Sequence, residues 1–89
     1  PRIDLPEVGA SMAAVDGVRS VHDLHIWSLD SRETALSAHI VLQRDGDWPE
    51  VLPRLQALLR ERFGIGHVTL QPESPPRQVI RFAPPRASS

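Results

Sequence analysis

Apolar residues near the start of the chain recur at spacings of three and four, so Leu5, Val8, Met12 and Val15 share one face of a helix predicted over residues 3–16. Asp4 stands where an N-cap belongs, Glu7 follows three residues later, and Gly17 offers a permissive end. Pro6 and Gly9 weaken this helix. Beyond Gly17 the period shortens: Val18 to Leu29 is rich in Val, Ile, Leu and Trp and predicts a strand. Asp30-Ser31-Arg32 is a polar turn, and Thr34 to Leu42 returns as a second strand. Strict alternation puts Leu36, Ala38, Ile40 and Leu42 on one side of it and Ala35, Ser37, His39 and Val41 on the other.

Asp45-Gly46-Asp47 breaks the pattern, and Trp48, Val51, Leu52, Leu55, Leu58, Leu59 and Phe63 trace an amphipathic helix closed by Gly64. Pro53 has no N–H to reach back to residue 49, so the first turn is expected to be irregular, or the regular helix to begin late. A short strand at His67 to Gln71 follows, with Val68 and Leu70 inward. The proline-rich residues 74–89 lack apolar period and read as a flexible tail, leaving residues 1–73 as the folded domain.

Helix, strand, strand, helix, strand is the order of an α+β domain. A hairpin followed by a helical crossover puts both helices on one face of a three-stranded mixed sheet, a truncated ferredoxin-like αββαβ sandwich. The other face stays open, which invites dimerisation.

Composition narrows the function. The 89 residues hold ten arginines, no lysine and eleven acids, a net charge of −1, with the arginines scattered among the acids. Nucleic acid is therefore not an expected partner, because phosphate binding needs a clustered cationic excess. The absence of cysteine removes disulfides, thiolate nucleophiles and thiolate metal sites, and with them a free-standing carrier of cuprous ions. No apolar run approaches the roughly 18 residues of a membrane span, and the chain begins at Pro1, which reads as a fragment of a longer protein. Ser28 and Ser37 lie near histidines without a nucleophile elbow, and no phosphate-cradling glycine loop is present, so catalysis is not expected.

The four histidines carry what chemistry remains. Alternation sends His25, His39 and His67 away from the apolar side of their strands. It gives His22 the parity of Leu24 and Ile26, which turns it inward unless the strand begins irregularly or bulges. Histidines on one sheet face beside Asp23 and Glu73 form a candidate divalent-cation site, and imidazole with carboxylate suits zinc best. Spacing alone leaves the plainer reading open, in which these are solvated polar residues and Asp23 is a strand-edge charge. Trp27 and Trp48 read as core or interface anchors.

Three segments, Val21-His22-Asp23-Leu24-His25-Ile26-Trp27-Ser28-Leu29, Ala35 through Leu42 (ALSAHIVL) and Leu59 through Glu73 (LRERFGIGHVTLQPE), resemble the C-terminal cytoplasmic domain of cation diffusion facilitators, close to the bacterial cobalt-zinc-cadmium branch and the animal zinc transporters. The resemblance spans about residues 5–73 and implies the same αββαβ fold. It implies a homodimeric regulatory module on the cytoplasmic side of the membrane. The module binds Zn²⁺, or Co²⁺ or Cd²⁺, and controls a transmembrane domain of the parent chain that exports the cation against protons. Carried over by position, the metal ligands it implies are His22, His39 and Glu73, with His67 at or one residue beside another. Gln71 and the region around Pro49 lack histidines that some members use, which weakens the case for a second, bridging site. The resemblance and the alternation disagree over His22, so His25 stays as a second candidate. The rival reading is a purely structural dimerisation domain whose histidines are incidental.

Overall fold

The computed structural model describes residues 3–76. Its elements are α1 (Leu5–Ala13), β1 (Val18–Ser28), β2 (Thr34–Leu42), α2 (Trp48–Phe63) and β3 (His67–Glu73). The sheet order is β1-β2-β3, with β1 antiparallel and β3 parallel to the central β2. This is the expected truncated ferredoxin-like sandwich.

The core lies between the sheet and the helices. Val8 and Met12 from α1, Val51, Leu55 and Leu59 from α2, and Ile65 meet Val18, Leu36, Ala38, Ile40 and Leu42 from the strands. The alternation expected of β2 holds, with Leu36, Ala38, Ile40 and Leu42 buried. Ala35 is buried as well, although it lies on the other face.

Several element ends differ from the sequence expectation. Asp4 caps α1 by accepting from the backbone N–H of Glu7 at 3.4 Å, but the helix stops at Ala13, and Gly17 (φ 95°) belongs to the following turn. The α2 helix runs from Trp48 without the late start expected from Pro53. Pro53 sits within the first two turns, where its missing N–H removes one hydrogen bond, and the fully buried Val51, Leu55 and Leu59 anchor the helix on either side of it. Gly64 ends the helix in the left-handed conformation (φ 68°): its N–H donates to Arg60 O at 3.1 Å and that of Ile65 to Leu59 O at 2.9 Å, a Schellman closure. The last strand extends through Pro72 to Glu73, beyond the expected Gln71. Among the described residues β3 pairs with β2 alone and is an edge strand, and an edge strand tolerates a proline because a missing N–H on its outer side leaves no neighbour unpaired. Most of the expected tail, residues 77–89, lies outside the described residues.

Candidate metal centre

One deviation in β1 builds the site. Between His22 and His25 the strand advances three residues while its partner advances two, from His39 to Ser37. The extra residue is a bulge, and Asp23 in it has φ 52°. A second register shift lies between Val18 and Ser20. Together they put Val18, Val21, Leu24 and Ile26 against the core, although these are spaced by three, three and two. His22, His25 and Trp27 are left exposed. The inward placement that strict alternation gave His22 is thereby corrected: the bulge adds the residue that reverses its parity.

On the open face His22 lies directly opposite His39 in register, with ring centroids 5.0 Å apart. Glu73, at the end of the parallel edge strand, reaches both. Its Oε1 is 2.7 Å from His22 Nε2 and its Oε2 is 2.7 Å from His39 Nδ1. Each strand thus contributes one side chain. The rings are between one third and one half exposed, so ions and water have access. Asp23 Oδ2 stands 3.4 Å from His22 Nδ1, on the other edge of that ring.

The electrostatics follow from these contacts. Glu73, by accepting from His22 and by its negative charge, raises the His22 pKa above its ordinary value of 6.5, and Asp23 adds to the effect while desolvation opposes it. The hydrogen bonds from His39 and then His22 hold the Glu73 carboxyl below its ordinary value of 4.5. The site is an anionic seat shared by two imidazoles.

The structure therefore brings together His22, His39, Glu73 and Asp23. Donor atoms of His22, Asp23 and His39 all fall within 4.8 Å of one another. His25 lies beside them, lining a cavity of about 300 Å³ with Asp23, Ser37, His39, Thr69 and Gln71. His67 is not brought in. It starts β3 opposite Ala35, four residues before Gln71, and its Nε2 lies 3.3 Å from Glu33. No local sequence pattern signals that pairing; only the parallel register of β3 on β2 shows that His67 stands near the residue that precedes Thr34.

The donor set fits one divalent cation. Two imidazole nitrogens and a carboxylate already converge, and zinc bonds to such atoms of about 2.0–2.2 Å place ligand atoms of one tetrahedral ion about 3.3 Å apart. His22, His39 and Glu73 would hold such an ion if the 2.7 Å contacts widened to that spacing, the cation standing in for the protons between nitrogen and oxygen.

Comparison with known proteins agrees with this fold. Residues 1–75 match the model of the family described as cation efflux protein, cytoplasmic domain. The chain is 44% identical over 75 residues to the metal cation efflux system protein CzcD of Cupriavidus metallidurans, covering 83% of this chain and 24% of that protein. It is 44% identical over 62 residues to the proton-coupled zinc antiporter SLC30A8 of Homo sapiens, covering 70% of this chain and 17% of that protein. The chain therefore spans a quarter or less of the length of these relatives, and no helix among the described residues is long and apolar enough to cross a membrane. Among solved structures, the metal-bound C-terminal domain of the CzcD transporter superposes with a TM-score of 0.74 at 44% identity, covering 80% of this chain and 99% of that one. Family and fold agree, and the chain belongs to the cytoplasmic domains of the cation efflux proteins, also known as cation diffusion facilitators.

Proposed function

We propose that this domain senses a divalent cation, Zn²⁺ or alternatively Co²⁺ or Cd²⁺, through His22, His39 and Glu73. In this reading it acts as a homodimer that regulates, without catalysis of its own, a membrane domain exporting that cation in exchange for protons. The observation that carries the reading is the convergence of two imidazoles on one carboxylate from three different strands, on a face that no helix among the described residues covers. Similarity to a metal-bound domain of CzcD and to a proton-coupled zinc antiporter supports it.

Regulation then follows from linkage. A cation that binds one arrangement of the dimer more tightly than another shifts the population by the difference in affinity. Free cation at a hundredfold its Kd also stabilises the folded state by about 2.7 kcal/mol. Calorimetric zinc titration of the chain, with light scattering followed in parallel, tests both parts. The expected result is saturable binding that is lost in Glu73→Ala and His39→Ala, accompanied by association. Equal heats in wild type and both variants would eliminate the sensing role.

The second reading, a structural dimerisation domain, draws on a different observation. Glu73 already joins β1 and β3 across β2 without a cation, and Leu5, Trp27 and Leu29 are about half exposed at the hairpin end. Association that proceeds without any heat of zinc binding favours it.

A further inference from the structure

Asp23 is the one non-glycine residue among those described that has a positive φ. L-residues disfavour that region, and Asp and Asn are the side chains that enter it most readily. The residue occupies the bulge between His22 and His25, and its carboxylate approaches His22 Nδ1 at 3.4 Å. The opposite ring nitrogen, Nε2, is the one that meets Glu73. Backbone and side chain of a single residue thus act on the same histidine.

We propose that Asp23 is the positioning residue of the metal centre. Its left-handed bulge turns His22 onto the open face, and its carboxylate, 3.4 Å from Nδ1, accepts the Nδ1–H when a cation takes the place of the proton that Nε2 now gives to Glu73, so that the Nε2 lone pair ligates beside His39 and Glu73. The assignment rests on the metal-binding reading above.

The backbone acts through parity. Leu24 and Ile26 pack against the core. With strict alternation, His22 shares their side and leaves the cluster. The side chain acts through the tautomer. A neutral imidazole has one N–H and one lone pair; once a cation occupies Nε2 in place of the proton shared with Glu73, the remaining N–H is on Nδ1, where the Asp23 carboxylate is the acceptor. Metal-binding histidines commonly donate their second N–H to such a partner, which fixes ring orientation and raises basicity. The same carboxylate comes within 4.8 Å of donors on His22 and His39, so a direct ligand role is the competing outcome.

Cobalt(II), added to the chain and to Asp23→Asn, Asp23→Gly and Asp23→Val, separates these roles through the visible absorption of the bound ion. Unfolding of each variant in chelator reports the fold independently. Asn tolerates the bulge and keeps an accepting oxygen, so its affinity is expected within about threefold of wild type. Gly keeps the bulge without an acceptor and is expected to bind about 10–100-fold more weakly, with an unchanged spectrum at saturation. Val resists positive φ and is expected to lose at least as much; because it also threatens the fold, the decision rests on Asn against Gly. Wild-type affinity in Gly overturns the proposal, as does loss in Asn equal to that in Gly. A changed saturated spectrum in Gly makes Asp23 a ligand and overturns it too. If the wild-type chain does not bind cobalt, the metal-binding reading itself fails, and this assignment with it.

Discussion

On its covered face β2 presents Leu36, Ala38, Ile40 and Leu42, none more than 4% exposed; on its open face the same strand presents Ser37 and the partly exposed His39. The covered face is specified by volume and apolarity, because helices pack on it and close-packed interiors penalise gaps. The open face is specified by position, because its groups act only where three strands place them together. Stability is therefore assigned to one side of a thin sheet and the proposed cation chemistry to the other, and perturbing either side is expected to have little effect on the other.

The largest effect should come from the covered side. Leu59 is fully buried at the centre of the core, and Leu59→Ala is expected to lower unfolding free energy by about 3 kcal/mol, read by urea denaturation in chelator. Cation affinity of the molecules that remain folded should change less than threefold. A large loss of affinity in the folded fraction would abolish the division between faces.

The open side should give the converse result. His39→Ala is expected to weaken zinc binding by about 100-fold or more, since loss of a supporting partner alone costs 10–100-fold. Its urea midpoint in chelator should shift far less than that of Leu59→Ala.

A pH series separates the two faces by a third route. His22 is held above 6.5, so its contribution to the cation-free fold is complete below about 6.5 and is lost as pH rises through the raised value. Glu73 is held below 4.5, so its contribution is present above about 4.5 and is lost as pH falls through the lowered value. Both groups are solvent-accessible, so the effect on stability is small. Zinc binding moves the other way, because imidazole must shed its proton to ligate. Between pH 5.5 and 8, thermal unfolding in chelator should show the cluster's stabilisation declining while calorimetric zinc affinity rises. The smallest effect is expected from His67→Ala: its ionic partner among the described residues is Glu33, and zinc affinity should change less than threefold by the same calorimetry.

Much of the covered face is legible in the sequence, because Leu36, Ala38, Ile40 and Leu42 recur at every second position of β2 and α2 keeps its apolar stripe from Trp48 to Phe63. The open face is legible only in part. His39 follows from the alternation of β2, whereas His22 does not follow from β1, whose two extra residues shift the pattern, and only the family resemblance points to it. Glu73 lies beyond the expected end of β3, where a proline suggests a stop; the edge position that permits Pro72 is a property of the whole sheet. His67 has the same outward parity as Glu73, yet the two stand at opposite ends of the seven-residue strand, and strand parity carries no information about position along the strand.

The proposed role of the open face depends on His22, His39 and Glu73 together holding one divalent cation. Crystals of the chain grown with zinc and measured at the zinc absorption edge address that point without an intermediary. One anomalous peak per protomer is expected, in contact with His22 Nε2, His39 Nδ1 and a Glu73 oxygen. A peak at His67 and Glu33 instead, or no peak with both Glu73 contacts still at 2.7 Å, would contradict it.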